Sequence, residues 1–480
     1  MKQTLASWEK EVIRCIRCGA CQSVCPVFKE LQAEASVARG RVMLIRAVIN
    51  KDSDLTDGFR EKMSLCLMCK ACVANCPSGV KVDKVVEAAR AEIVRKQGLP
   101  FLKRLIFRFV LKNRWVFNFA MRMGSAFQGL VFRKGPHGQG MLPRMPLGLD
   151  RRRLLAPLAP QSFRSQYPEV VKVEDAKKRV AFFTGCMINY IYTDTGRAVV
   201  NVLKRNGIEV VIPALQNCCG APVRINGDYE SARDMARANI NVFLREQVDT
   251  VVVACGTCGL TLKEEYAELL ADDPVYAEKA KKLGAKVQDI TEVLVSLDGF
   301  RDKIQDEFQD KLLDGTQGKG LPFNTELSRP KSPASIGGGR QRAVKSSMDS
   351  TNIQRGLNPP LNEVSFKVTY HDPCHLVRGL KVKEQPRQII RSIPGVEFVE
   401  MAKPDTCCGS GGSFSLYHYN ISAKINDHKI EDIKQTGAEV LVTGCSACRM
   451  HIADGLSRQH AGVKVMHTVQ LLEMAYEVDR

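Results

Sequence analysis

The sequence predicts an α+β multidomain protein: a helical, cysteine-rich N-terminal domain followed by two copies of one α/β domain. Three observations carry that prediction. The stretch "CIRCGACQSVCP", starting at Cys15, recurs almost unchanged as "CLMCKACVANCP", starting at Cys66. A second, more widely spaced cysteine motif occurs twice in the C-terminal part of the chain. Between its landmarks, short Val-rich runs alternate with helical stretches, the pattern of βα units around a parallel sheet.

Residues 1–98 make the first domain. Between the two runs, "RGRVMLIRAVIN" has the apolar spacing of a helix. So does "VKVDKVVEAARAEIVRKQG", which stops at Gly98, a suitable C-cap. Each run has the C-x2-C-x2-C-x3-C-P spacing of bacterial ferredoxins. There, three close thiolates take three corners of a [4Fe–4S] cube and the fourth reaches across to the other cluster. The short gaps wrap the backbone around the cube so that amides can point at sulfide, and the proline ends the wrap. The expected ligand sets are therefore Cys15, Cys18, Cys21 and Cys76 for one cluster, and Cys66, Cys69, Cys72 and Cys25 for the other. Structural zinc, the alternative, wants paired C-x2-C units rather than four thiols in one run.

Residues 99–175 read as a connector. Its first part, "PFLKRLIFRFVLKNRWVFNFAMRMGSAFQGLVFRK", predicts one or two basic amphipathic helices. The expectation is a helical hairpin that packs its Phe and Leu side chains on the rest of the protein. The alternative is a surface that docks on a membrane or a partner. Residues 135–175 are rich in Pro and Arg and read as irregular. Between 101 and 170 there are 13 Lys/Arg against two acids, Asp150 and Glu169, so +11 of the net charge of +18 is concentrated there. Such a field attracts anionic lipid or an acidic partner. No zinc-finger, helix-turn-helix or RNA-recognition signature accompanies the charge, so nucleic acid is not an expected partner.

The two α/β copies occupy 176–300 and 366–480. "VAFFTGC" ending at Cys186 matches "VTYHDPC" ending at Cys374. "QNCCGAP", with Cys218 and Cys219, matches "DTCCGSGG", with Cys407 and Cys408. "VVVACGTC", with Cys255 and Cys258, matches "VLVTGCSAC", with Cys445 and Cys448. The offsets of 188, 189 and 190 residues hold one register across three landmarks, which means a duplicated domain rather than a solenoid. The cysteines fall just after predicted strands, at the carboxyl edge where open α/β sheets place ligands. The linker 301–365 contains a Gly-, Ser- and Pro-rich stretch at 315–360 with few apolar residues, which reads as a disordered insertion.

All 18 cysteines belong to these four motifs. Adjacent cysteines diverge on an extended backbone, so a multinuclear cluster suits them better than one small ion. Soft thiolates select iron–sulfur, zinc or copper(I), and five thiols per copy exceed the needs of one tetrahedral zinc. The glycines after each pair (Gly220; Gly409, Gly411, Gly412) allow close backbone approach or a tight turn. His371 and His375 flank Cys374. Hydrogen bonding near the sheet edge is the favoured role for them, and tuning or ligating a cluster the alternative.

With these motifs the chain resembles the iron–sulfur proteins that place two cysteine-rich "CCG" domains behind a two-cluster ferredoxin domain. That family includes the iron–sulfur subunit of glycolate oxidase, the C subunit of anaerobic glycerol-3-phosphate dehydrogenase and the D subunit of heterodisulfide reductase. "ARGRVMLIRAV", "CPSGVKV" and "DDPVYAEKAKKL" are most similar to the glycolate oxidase subunit. The resemblance implies an electron-transfer subunit that serves an FAD-containing dehydrogenase of 2-hydroxy acids such as glycolate or lactate, and delivers to a quinone or other carrier. It also implies one or two further [4Fe–4S] clusters in the CCG domains. These would be held by Cys186, Cys218, Cys219, Cys255 and Cys258, and by Cys374, Cys407, Cys408, Cys445 and Cys448. Glycolate oxidase subunits often lack a cysteine of the final C-x2-C, whereas both copies here are complete. Complete motifs resemble heterodisulfide reductase, whose CCG clusters are noncubane, and keep a disulfide reductase open as the alternative. Glycerol 3-phosphate is the alternative substrate of the relay.

Absent motifs narrow the role. There is no G-x-G-x-x-G after a strand, no Walker A, no HExxH and no nucleophile elbow. Two-electron oxidation of a hydroxy acid needs a flavin or nicotinamide, so no residue here is assigned an acid, base or nucleophile role. The N-terminal "MKQTLASWEKEVIRC" lacks the apolar core of a secretory signal, and no apolar run reaches the roughly eighteen residues of a membrane span. The expected location is the cytoplasm, with a peripheral position at the inner face of the cell membrane as the alternative in which the basic segment docks there.

Overall fold

In the computed structural model, which describes residues 4–135, 140–145, 149–297, 300 and 366–476, the chain up to Gly98 contains helices and no strand among the described residues. Its principal helices are Ala38–Ile49, Asp57–Ser64 and Val82–Gln97. Their apolar faces meet in a core of Val42, Ile45, Phe59, Met63, Val85, Val86, Ala89 and Ile93. The Thr56 side chain caps the second helix by accepting from the Phe59 amide at 3.2 Å. Val82–Gln97 stops at Gly98, whose φ of +76° suits glycine.

The segment after Gly98 is helical as expected, running through Phe101–Leu105, Ile106–Val110 and Arg114–Val131. Its packing departs from the expected hairpin. From Phe101 to Val131 only Phe107 is buried. Phe101 (72%), Leu102 (65%), Trp115 (75%), Phe119 (66%) and Leu130 (73%) are largely exposed. The cause lies on the opposite face of Arg114–Val131, which docks through polar and small residues. Asn118 accepts a hydrogen bond from the Tyr190 hydroxyl, and Phe117 meets the Tyr190 ring edge-on with centroids 4.9 Å apart. Ser125 and Gln128 donate to the Leu158 carbonyl, at 3.3 and 3.0 Å. With that face inward, the helical spacing of Trp115, Phe119, Arg122, Met123, Phe127 and Leu130 turns the apolar stripe outward.

The stretch expected to be irregular supplies strands. β1 (Phe132–Lys134) and β2 (Met141–Pro143) form an antiparallel hairpin. β3 (Val170–Val171) pairs antiparallel with β5 (Ile208–Val211) and becomes the edge of the next sheet. That sheet also contains β4 (Lys178–Phe183), β6 (Thr250–Val253) and β7 (Val287–Asp289), in the order β3-β5-β4-β6-β7. The second sheet has β8 (Phe366–His371), β9 (Val396–Phe398), β10 (Val440–Thr443) and β11 (Lys464–Met466), in the order β9-β8-β10-β11. Apart from β3, every pairing in both sheets is parallel. β4, β5, β6 and β7 therefore correspond to β8, β9, β10 and β11 in order and direction, so the repeat read in the cysteines extends to the whole topology. Helices on both sides bury the central strands on both faces, as a parallel sheet requires; all four residues of β10 are buried.

The two copies share one core. Val199, Leu203, Ile290 and Leu294 from the first pack in the same cluster as Ile389, Ile390, Val469 and Leu472 from the second. At its rim Arg449 reaches Asp194 at 3.0 Å, and Asn201 donates to Glu473 at 2.7 Å. The linker stretch 315–360, expected to be a disordered insertion, lies outside the described residues.

Candidate metal centres

Parallel strands point their carboxyl ends the same way, and that is what gathers the cysteines. β4 and β6 run out just before Cys186 and Cys255; β8 and β10 do the same for Cys374 and Cys445. The adjacent pairs sit in the loops after β5 and β9, each followed by a glycine with positive φ, +84° at Gly220 and +88° at Gly409. These left-handed residues turn the chain sharply after each pair. In the first copy the Cys186 and Cys218 sulfurs are 4.0 Å apart, and those of Cys219 and Cys258 are 3.6 Å apart. Cys218 and Cys258 hydrogen-bond to Cys219 and pull its thiol down to about 6. Cys408 occupies the matching position in the second copy and is lowered in the same way by Cys407 and Cys448. Hydrogen bonding to Cys218 and burial push Cys186 well up.

The N-terminal runs share a backbone device. Arg17 (φ +59°) and Gly19 (+87°) hold the same two steps of the first run that Met68 (+57°) and Lys70 (+59°) hold in the second. Three of the four are not glycine, for which positive φ is uncommon. Alternating left-handed residues turn successive amides into one concavity, the nest that receives sulfide or other anions. Cys15, Cys18, Cys21, Cys72 and Cys76 line one cavity. Cys25 is buried, and Cys69 and Cys66 act on it, raising its pKa further after burial. Cys66, Cys69 and Cys25 act in the same direction on Cys72. All 18 cysteines are free thiols.

Two side chains that sequence reasoning did not single out grip the second run, and a buried ionic bridge lies beside them. Arg90 donates to the carbonyls of Met63 (2.7 Å) and Cys66 (2.8 Å), and to Ile225 of the first α/β copy (3.1 Å). Arg378 donates to the Cys69 carbonyl at 3.3 Å and to that of Asp405 at 2.7 Å. A buried bridge of Lys84, Glu87, Arg224 and Glu265 ties the helix Val82–Gln97 to the first copy, with Arg224 2.5 Å from each glutamate. Arg90 and Arg224 look like ordinary helix-surface charges in a single sequence, so nothing there marks them.

The four thiol groups lie close together. Cys69 and Cys407 pack against one apolar cluster with Leu67 and Phe414, joining the second run to the second copy, and Cys407 lowers the Cys69 thiol to about 6. Gly411 makes room for this contact: a Cβ there would lie 2.5 Å from Leu67. Thr257 Oγ1 of the first copy lies 3.9 Å from Cys445 Sγ of the second, beside a backbone bond from the Gly256 amide to the Gly444 carbonyl at 3.1 Å. The two histidines part company. His375 is satisfied at both nitrogens, by Met68 O and by Thr257 Oγ1, each at 3.1 Å. His371 is fully buried; its Nδ1 faces Pro404 O at 3.2 Å, and its Nε2 has no hydrogen-bond partner.

Comparison with known proteins agrees with this arrangement. Residues 11–80 match the 4Fe-4S dicluster domain, and residues 180–263 and 368–453 each match the cysteine-rich CCG domain. The chain is 30% identical to the probable glycolate oxidase iron-sulfur subunit of Bacillus subtilis, over 97% of this chain and 94% of that protein. It is 29% identical to a subunit of the fumarate reductase (CoM/CoB) of Methanothermobacter marburgensis, over 98% of this chain and 73% of that protein. Lactate utilization protein A of Bacillus subtilis is 30% identical over 61% of this chain and 98% of its own length.

Proposed function

The chain belongs to the family of iron–sulfur proteins that join a 4Fe-4S dicluster domain to two CCG domains, as glycolate-oxidase-type subunits do, and on that premise we propose that it is the electron-transfer subunit of an FAD-dependent dehydrogenase of 2-hydroxy acids. The observation that carries this reading is the gathering of the four thiol groups: Arg378 of the second CCG domain donates to the Cys69 carbonyl, and Thr257 Oγ1 of the first lies 3.9 Å from Cys445 Sγ of the second. When bound, iron–sulfur clusters supply one-electron transfer, which suits a flavin that takes two electrons from glycolate or lactate and must release them singly toward a quinone or other carrier.

The roles of the chain's own residues follow. Cys15, Cys18, Cys21 and Cys76 hold one cluster of the dicluster domain, and Cys66, Cys69, Cys72 and Cys25 the other. The five cysteines of each CCG motif hold a further cluster. The nests at residues 17–19 and 68–70 direct amides toward them. Burial of Cys218, Cys219, Cys408 and Cys445 keeps water away. Arg90, His375 and Arg378 fix the second run against both CCG domains.

The acceptor side is a membrane surface. Among the described residues no helix is long and apolar enough to cross a membrane. The outward stripe of Trp115, Phe119, Phe127 and Leu130 has the amphipathic form of an interfacial helix. Residues 100–134 carry eight Lys/Arg and no acid, which complements anionic lipid. Arg114 and Phe117 on the inner side line the same small pocket as Cys186 and Cys218. Docking by this face sets the first CCG motif about one helix diameter, ~10–12 Å, from the lipid.

Anaerobic purification with iron and sulfide counting and EPR tests the relay; a chain without stoichiometric iron would reject it. A second reading, direct disulfide reduction at the CCG centres, is favoured by the complete final C-x2-C of both copies. Disulfide reduction by the isolated subunit separates the two, since a relay shows none.

A further inference from the structure

The two CCG centres are not chemically alike. The first copy ends β4 with Phe183, and the second ends β8 at the same register position with His371. The imidazole is 0% exposed. Its Nδ1 faces the Pro404 carbonyl at 3.2 Å, and a carbonyl only accepts, so Nδ1 carries the proton. Nε2 is the nitrogen left to the cysteines. It has no hydrogen-bond partner, although a buried polar atom without one is costly. Nε2 and the sulfurs of Cys408 and Cys448 all lie within 4.8 Å of one another. A metal ion held by those two sulfurs lies within reach of Nε2 as well. The contact from Nδ1 to Pro404 O is also the outer hydrogen bond that orients a metal-bound imidazole.

We propose that His371 is a nitrogen ligand of the metal centre in the second CCG domain, and that the first domain, with Phe183 in its place, is ligated by sulfur alone. This rests on the second CCG motif holding an iron–sulfur cluster. Nitrogen is a weaker electron donor than thiolate and leaves a centre less negative, so the His371 centre takes up an electron more readily than its partner. Electron delivery from Cys69 through Cys407 reaches that centre first.

The test uses the full chain, purified anaerobically with its native iron. Iron and sulfide counts first establish whether the CCG motifs are loaded; their failure would remove the cluster reading itself. In the loaded protein, pulsed EPR and Mössbauer spectroscopy on His371→Phe and on wild type grown with isotope-labelled histidine address the ligand. The expected result is a strong nitrogen coupling in one centre that changes with the label and disappears in His371→Phe, with the signals of the dicluster domain unchanged. Loaded motifs with no histidine coupling beyond that of a hydrogen-bonded ring, or a Mössbauer spectrum unaltered by the substitution, would overturn the proposal. Should His371→Phe fail to fold, the labelled wild type decides alone.

Discussion

Replacing Arg224 by Met removes a cation that sits between two buried carboxylates of different domains. Arg224 is 2.5 Å from Glu87 on the dicluster domain and from Glu265 on the first CCG domain, with side-chain exposures of 6%, 2% and 5%. Lys84 remains, 3.8 Å from Glu265, and one ammonium cannot neutralise both acids. Breaking a buried pair by deleting one partner costs about 3–5 kcal/mol, and Met fills most of the volume, so the loss is electrostatic. The pH dependence follows from Glu265. Burial pushes its carboxyl up, but Arg224 and Lys84 prevail and hold it at about 2. A depressed carboxylate contributes stability above its unfolded pKa of about 4.3, and that contribution is lost as the pH falls through about 2. Burial already raises Glu87 in the wild type; in Arg224→Met both acids prefer the proton, and the variant weakens further as pH rises. Urea unfolding followed by far-ultraviolet circular dichroism, under anaerobic conditions at pH 8 and pH 5, should show the larger deficit at pH 8. Adding Glu87→Gln should recover part of it. A deficit below about 1 kcal/mol at both pH values, or one independent of pH, would refute the reasoning.

Cys25→Ala should erase or convert the EPR signal of the cluster assigned to Cys66, Cys69 and Cys72, and leave that of Cys15, Cys18, Cys21 and Cys76; loss of only the latter signal would reverse the assignment. Asp289 caps Ile290–Val295 with one carboxylate oxygen unpartnered, and burial raises it to about 7. A raised acid stabilises the fold below its unfolded pKa of about 3.9 and loses that contribution as pH climbs through 7. Asp289→Asn should therefore gain up to about 4 kcal/mol at pH 8 and little at pH 4 in the same unfolding assay. Replacing Trp115, Phe119 and Phe127 together by Ser should reduce co-sedimentation with phosphatidylglycerol vesicles at least about tenfold at unchanged iron content. High salt should weaken wild-type binding, and equal binding of variant and wild type would exclude this face as the contact.

The cysteine spacings carried most of what could be read from the sequence, because ligand geometry constrains sequence more tightly than packing does. They marked the dicluster domain, the duplication and the strand ends where thiols collect. The amphipathic segment was legible as a helix but its facing was not. An apolar stripe ordinarily points inward, and here Asn118, Ser125 and Gln128 on the other side make the better contacts with the body of the protein. Those residues were visible, yet only the partners Tyr190 and Leu158 give them value. β3 was hidden in a Pro-rich stretch because two residues are too few for a period. His371 and His375 looked alike beside Cys374; only the fold shows that one is satisfied on both sides and the other on one.

The bond from Arg378 to the Cys69 carbonyl and the 3.9 Å approach of Thr257 Oγ1 to Cys445 Sγ make the order of neighbours in space differ from the order of synthesis. The second CCG domain, made after the first, is the middle member of the series, and the domain made before it is the terminus. A polypeptide released before Cys407 owns both ends and lacks the span between them, so the cysteines of the dicluster domain and of the first CCG domain join one series only as the second CCG domain folds into place.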